Sequence, residues 1–412
     1  MNNVSKIWWL HPVWIYFMWT LFSIYCSTIN SKSFYEMYEE PIYINSFNIA
    51  LYIAFFIVFT LGFFSYTSRG KKYNSIIKYP LSKIKKIFLL LYVWVISAYI
   101  IWFVNLYITY GNSIILGLLS NLAGYANMFK DGGGRISGIT TFTELAIVVA
   151  PLNTYLWCIS KKKIYRNMYI FLLFISILRA IIFSERLAVL EIIIPSLVIY
   201  SYYGKIFRSS IIKFAPILGV VFLLIVFGSF EYFRSWDFYK EAYDGNIISF
   251  TIDRVFGYYS ISINTECIWI NFMEPKFFLD HSLSWLWNLP AFSSVKDMLW
   301  QQPQINILER WGNPEFNNPG GLLFAYNDLG FLGLIIQFIF GRFVGIVYRG
   351  YCKKGFISSL WYSATYLCML ELPRYFFWGS SRAFFAIVAI LIIQKYIRKN
   401  NSHEINAFIV NT

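Results

Sequence analysis

Runs of about 20 apolar residues, separated by connections rich in lysine and arginine, constrain this chain more than any other feature. A helix needs about that many mostly apolar residues to cross the hydrocarbon core of a bilayer. The pattern predicts such helices at about Ile7 to Ser27, Phe47 to Tyr66, Ile87 to Tyr110, Thr141 to Ser160, Asn167 to Phe183 and Leu187 to Tyr203, with a seventh ending near Phe230. Three more follow: from Leu322 or Tyr326 to Tyr348, from Phe356 to Phe377, and from Arg382 to Ile397. The chain therefore reads as an all-α polytopic membrane protein with about 10 transmembrane helices. Only 14% of its residues are charged, against about 25% in soluble domains.

Charge in the connections orients these helices. Lysine and arginine collect on the cytoplasmic side of membrane proteins. Arg69 to Lys86, Lys161 to Arg166, Lys205 to Lys213 and Arg349 to Lys354 are such clusters. Alternating the spans between them puts both termini in the cytoplasm and residues 231–320 outside. The net charge of +14 is thus a topology signal. No basic helix or aromatic–basic motif argues for a nucleic-acid partner. The five cysteines are odd in number and scattered, so no disulfide framework is implied.

The chain divides by this reading into helices 1–7 (residues 1–230), a large external loop (231–320), and helices 8–10 with a short cytoplasmic tail (321–412). The loop is far too long for an ordinary connection, and its aromatics argue against disorder. It carries Arg234, Asp237, Asp253 and Arg254, then Trp285, Trp287, Trp300 and Trp311, and it is expected to fold as a cap on the membrane core.

Arginines set deep in the apolar runs carry the functional signal. Arg179 lies about 18 Å into the fifth helix from the cytoplasm, and Arg186 opens the sixth from outside, with Glu191 below it. Glu371 and Arg374 fall in the outer part of the ninth helix, and Arg382 opens the tenth. A charge near the bilayer centre costs roughly 2.5–3.5 kcal/mol on insertion scales. These residues are expected in one layer beneath the external loop, where guanidinium forks suit phosphate oxygens. Each could instead snorkel or pair internally, as Glu371 and Arg374 could at three-residue spacing. Tyr258, Tyr259 and the loop tryptophans could stack on sugar rings or form an interfacial belt. His281 is the one histidine of residues 231–320. The chain has no phosphate-loop or zinc-protease motif, and neither a metal nor a cofactor is expected.

Three features resemble the bacterial O-antigen and oligosaccharide repeat-unit polymerases of the Wzy type. One is the helix-turn-helix Leu178-Arg179…Phe183-Ser184-Glu185-Arg186-Leu187-Ala188. The second is Pro319-Gly320-Gly321…Ala325-Tyr326-Asn327-Asp328-Leu329-Gly330, running into Gly341-Arg342-Phe343-Val344-Gly345. The third is the topology, with one dominant outer loop in the second half. The resemblance implies a glycosyltransferase of the bacterial inner (plasma) membrane, which moves a growing glycan from undecaprenyl pyrophosphate onto a second lipid-linked repeat unit. It also implies a chain-length regulator protein as a partner. Arg179, Arg186, Arg254, Arg374 and Arg382 are the candidates for the pyrophosphate, acting as electrostatic stabilisers. Asp253, His281 and Glu185 are the candidates for the base that takes the acceptor's proton. A ligase that moves finished glycan to lipid A would share these features. A flippase or secondary transporter is expected instead to show repeated halves and broken midplane helices.

The orientation is checked by thiol labelling. In a cysteine-free background, Ser293→Cys should react with an impermeant reagent in intact cells and Ser75→Cys should not. The reverse pattern would overturn both the topology and the side assigned to the chemistry.

Overall fold

The computed structural model describes residues 7–28, 41–65, 79–114, 136, 138–183, 185–204, 214–232, 236, 239–241, 243, 245–275, 277, 279–299, 307–314, 318–353 and 355–410. Most of the basic clusters at 69–86 and 205–213, the glycine-rich stretch at 131–135, Ser184, Arg234, Asp237, Trp300 and Lys354 lie outside these residues. In chain order the main helices are α1 (Pro12–Thr28), α2 (Ser46–Ser65), α3 (Leu81–Tyr110), α4 (Ala146–Ser160), α5 (Lys163–Phe183), α6 (Leu187–Tyr203) and α7 (Ala215–Glu231). They continue with α8 (Ile247–Phe272), α9 (Pro290–Leu299), α10 (Phe324–Leu329), α11 (Gly333–Cys352), α12 (Phe356–Leu370) and α13 (Ser381–Val410). The described residues contain no strand.

The protein is an all-α chain with membrane-spanning character. Among the described residues, five helical stretches are long and apolar enough to cross a bilayer: Ser46–Ser65, Leu81–Tyr110, Thr140–Ser160, Lys163–Phe183 and Phe324–Cys352. Several expected spans are shorter. The run expected from Phe356 to Phe377 is helical only to Leu370, because Pro373 disfavours helix in the residue before it and cannot donate a backbone hydrogen bond. The chain then turns through Glu371–Tyr375 and enters a single 3-10 turn, Phe377–Gly379. The stretch Phe324–Cys352 is itself interrupted: α10 stops at Gly330, whose φ is +56°, and a 3-10 turn carries the chain into α11.

Two compact units share the chain. The first comprises Met1–Lys72, Ile248–Gly350 and Thr365–Phe384, and the second Tyr73–Ile247, Tyr351–Ala364 and Phe385–Thr412. Packing thus groups the chain differently from the sequence division at 230 and 320. The reason is α8. It falls within the stretch expected to be a cap, yet its run from Ser260 to Ile268 is buried without interruption. Small and polar side chains let other backbones approach it closely. Ser262 returns its hydroxyl to the Tyr258 carbonyl at 2.7 Å. The Asn264 amide accepts from Tyr43 N–H and donates to the Pro41 carbonyl, both at 2.8 Å. Asn271 ties down the same entry to α2 by donating to the Tyr43 carbonyl at 2.8 Å. In the first unit, α8 is therefore a core element.

Its centre is Glu266, fully buried. Its carboxylate accepts the Leu323 N–H at 2.7 Å and the Tyr52 hydroxyl at 2.9 Å. Gly320 (φ +74°) passes so close that a side chain there would collide with Glu266. Gly320 N–H donates to the Arg374 carbonyl at 2.9 Å. The Phe324 ring stacks on Phe376 with centroids 3.6 Å apart, and the Tyr16 hydroxyl donates to the Leu322 carbonyl at 2.8 Å. The segment 319–324 is thereby threaded between α1, α8 and the turn after α12.

Helices α2 and α11 meet backbone to backbone. A side chain on Gly62 would run into the Phe338 carbonyl, and one on Gly341 into that of Phe59. Gly341 and Gly345 are four apart, the small-residue spacing of closely packed membrane helices. In the second unit, α4 packs on α5 and α6, and Trp102, Leu106, Ile114, Ile182 and Phe183 form a buried cluster. Ser176 donates to the Ala188 carbonyl at 2.7 Å, joining α5 to α6.

The α2–α11 contact predicts that Gly341→Leu lowers the midpoint of thermal unfolding in detergent, by an overpacking cost of about 1–3 kcal/mol. Gly219→Leu, at a glycine with no atom within 4 Å of an added Cβ, should leave it in place. Equal midpoints for the two variants would refute the close approach.

Candidate functional site

The C-terminal half of α8, the loop that follows it and α10 enclose a cleft lined by Trp269, Glu274, Asp280, His281, Asn327 and Asp328, among others. Asp328 organises it. Its side chain is 1% exposed, and it accepts the backbone N–H groups of His281 and Ser282, each at 2.8 Å. It also accepts the Ser282 hydroxyl and lies 3.0 Å from His281 Nδ1. Two backbone donors from adjacent residues fix the carboxylate. The ring then donates its Nδ1 proton to a prepositioned acceptor, a tautomer assigned from that bond. The second ring nitrogen, Nε2, is the one not turned to Asp328. Trp269 holds the imidazole edge-on, with centroids 5.7 Å apart. Beside it, both polar atoms of the Asn327 amide are buried and have no hydrogen-bond partner among the described residues.

Further along the same unit lies Arg374. Its Nη1 donates to Glu371 at 2.6 Å, and its guanidinium lies over Tyr258, 4.8 Å from the ring centroid. Its Nε has no partner among the described residues. The pair expected from spacing is therefore formed, yet it uses only part of the fork. Tyr258 and Trp269 both belong to α8 and are eleven residues apart, so the arginine and histidine attach to that helix about 16 Å from one another. Arg254 is buried on α8, with Phe250 nearby (5.9 Å to the ring centroid). Asp253 is half-buried next to it, and Arg382 is half-buried in the first turn of α13.

The other candidates belong to the second unit, and their chemistry differs. Arg179, 3% exposed, donates from Nε and Nη2 to Glu185 Oε2 at 3.0 and 2.7 Å, and from Nη1 to Thr143 Oγ1 at 2.9 Å. Its guanidinium also lies 4.6 Å from the Trp102 ring centroid. A fork engaged on three sides serves as an internal strut. Arg186 opens α6, bonded to Glu231 at 3.3 Å and lying 3.5 Å from the Phe227 ring centroid. Its expected open fork is partly occupied by that carboxylate. The single arginine layer read from the sequence is thus shared between two units: Arg179, Glu185 and Arg186 in one, and Asp253, Arg254, His281, Arg374 and Arg382 in the other.

Asp328, Asn327, Trp269 and Glu266 were not among the site residues singled out in the sequence. Asp328 and Asn327 stand inside the Tyr326-Asn327-Asp328 string noted above. A lone glutamate inside Ile261–Ile270, as Glu266 is, carries the signal of a costly buried acid. Among the described residues no group of three or more histidine, cysteine, aspartate or glutamate side chains is placed to hold a metal.

No family model matches this sequence, and no curated protein or solved structure matches it either. The functional reading therefore rests on the geometry of the site.

The buried pair of the second unit gives a direct test. Removing one partner of a buried ion pair costs about 3–5 kcal/mol, whereas replacing both with apolar residues is often neutral. Arg179→Met should destabilise the protein strongly in thermal unfolding, and Arg179→Met combined with Glu185→Leu should restore most of the loss. A double variant as unstable as the single one would show that Arg179 has a role beyond the pair.

Proposed function

We propose that this chain polymerises undecaprenyl-pyrophosphate-linked oligosaccharide repeat units, transferring the growing glycan onto the terminal sugar of a second lipid-linked unit. The observation that carries the reading is the His281–Asp328 pair at a cleft in the unit that also holds Arg374. On this reading the protein spans a bacterial inner membrane about ten times, with both termini cytoplasmic and residues 231–320 facing outward. A chain-length regulator would be its partner.

The steps follow from the side chains. His281 Nε2 accepts the proton of the acceptor hydroxyl as its oxygen attacks the anomeric carbon of the donor sugar, and Asp328 stabilises the imidazolium that results. The bond from that carbon to the pyrophosphate oxygen breaks, and undecaprenyl pyrophosphate leaves as an anion. Arg374, with Arg254 and Arg382 in the same unit, supplies the positive charge that such a leaving group needs. Asp253 and Glu185 are weaker candidates for the base, having no carboxylate-anchored imidazole.

Purified protein given lipid-linked repeat units should form polymer, and His281→Ala should slow it by about 10²–10⁴. Arg374→Met should abolish polymer whether or not Glu371 is also replaced. Normal polymer from His281→Ala at normal abundance would remove the histidine from the chemistry, and with it the observation on which this reading stands.

A further inference from the structure

One helix of the first unit is too short to cross a bilayer and yet is not packed as core. Helix α9 (Pro290–Leu299) has 10 residues, and a span needs about 20. At 3.6 residues per turn, Met298, Ala291, Val295, Leu299 and Phe292 fall side by side on an arc of about 120°. Lys296, Ser293, Asp297 and Ser294 take the opposite side. The two faces are divided more sharply here than along the helices of the five spanning stretches. The apolar face is open: Phe292 is 39%, Val295 40% and Met298 72% exposed, and Ala291 is exposed with them.

The packing just before α9 fixes where that face stands. Ser282, eight residues ahead of the helix, is bonded to Asp328 through its backbone N–H and its hydroxyl. Asp328 is the fifth residue of Phe324–Cys352, a stretch of 29 residues. Only about 20 are needed to cross the hydrocarbon, so a spanning stretch this long leaves its first residues at the level of the lipid headgroups. Ser284 Oγ donates to the Gly379 carbonyl at 2.6 Å. Trp285 stacks on Phe384, in the first turn of α13, with centroids 4.8 Å apart. Trp287 then meets Phe292 edge to face at 6.3 Å, which carries the ring contacts onto the apolar face of α9. Tryptophan, with an apolar body and one polar N–H, is enriched where membrane meets water.

A two-sided helix, preceded by two tryptophans and tethered to the end of a spanning stretch, has the chemistry of a helix lying in the plane of the bilayer interface. We propose that α9 rests its apolar face on the lipid of the membrane that the spanning helices cross. Phe292, Val295 and Met298 then sit at the boundary of headgroups and acyl chains, and the Ser293 side of the helix faces water. The bilayer is favoured over a protein partner because the tethers already hold the helix beside it. Its apolar surface leaves water without the entropy loss of recruiting a second molecule. This docking does not depend on the reaction proposed above.

The test puts a fluorophore on either face of the helix. In the cysteine-free full chain, Val295→Cys and Ser293→Cys lie about 200° apart around the axis. Each would carry a nitrobenzoxadiazole label, with one chain per nanodisc, in phosphatidylcholine with and without bromine near the top of its acyl chains. Bromine quenches a label that touches it. At Val295→Cys the emission should shift to shorter wavelength and be largely lost in the brominated discs. At Ser293→Cys it should keep its wavelength in water and most of its intensity. Met298→Cys, on the same face, should behave as Val295→Cys does, so the outcome does not rest on one variant. Equal loss at the two faces would overturn the proposal. Unquenched emission from both Val295→Cys and Met298→Cys would also overturn it, since protein rather than lipid would then cover the face.

Discussion

A single buried carboxyl, Glu266, holds the first unit together. Burying an acid among apolar groups is costly unless its oxygens are satisfied, and here each oxygen has a donor: the Leu323 N–H for one and the Tyr52 hydroxyl for the other. Burial pushes the group up to about 8. The same carboxyl joins α8 to α2 and to the segment 319–324. Without it, the Leu323 N–H would be buried without its acceptor, and α10, which begins one residue later, would lose its anchor. Asp328, and with it the orientation of His281, depends on where α10 begins.

The two acids Glu266 and Asp328 solve the same problem differently. Glu266 is bonded only inward, to a backbone N–H and a phenol. Asp328 is fixed by two backbone N–H groups and a hydroxyl, and keeps enough acceptor capacity to orient an imidazole at the cleft. A carboxylate bonded wholly within the fold holds structure, and one that positions a ring at a cleft can take part in chemistry. The arginines divide in a similar way. Arg179 has its nitrogens on Glu185 and Thr143 and its face on Trp102, so its desolvation is met from within. Arg374 meets one carboxylate through one nitrogen and lies over Tyr258, and it has the capacity to gain a further anion.

The cleft owes its shape to an interruption in the helix. Were Phe324–Cys352 a continuous helix, Phe331 and Leu332 would be two more residues on its surface, and Tyr326 would keep a helical register with α11. The break at Gly330 lets α10 serve the cleft with Asn327 and Asp328 while the chain just beyond it presents aromatics outward. A polar site and an apolar surface are thus built from residues only a few positions apart.

The sequence alone determined the helical, membrane-spanning class, because apolar runs of bilayer length leave the backbone few ways to satisfy its hydrogen bonds. It also determined that Arg179, Arg374 and their acidic neighbours needed explanation, and that His281 was the histidine to consider in the long segment. Only the tertiary structure decided that Ile247–Phe272 is core rather than cap. Its serines and asparagines look like loop composition until their partners, Pro41, Tyr43 and neighbouring carbonyls, are in place. Tertiary structure likewise decided that the arginines fall in two units and that His281 meets Asp328, forty-seven positions away. Local pattern reports what a segment must bury. Which distant donor or acceptor makes that burial affordable is set by the packing, and in this chain the chemistry follows from that pairing.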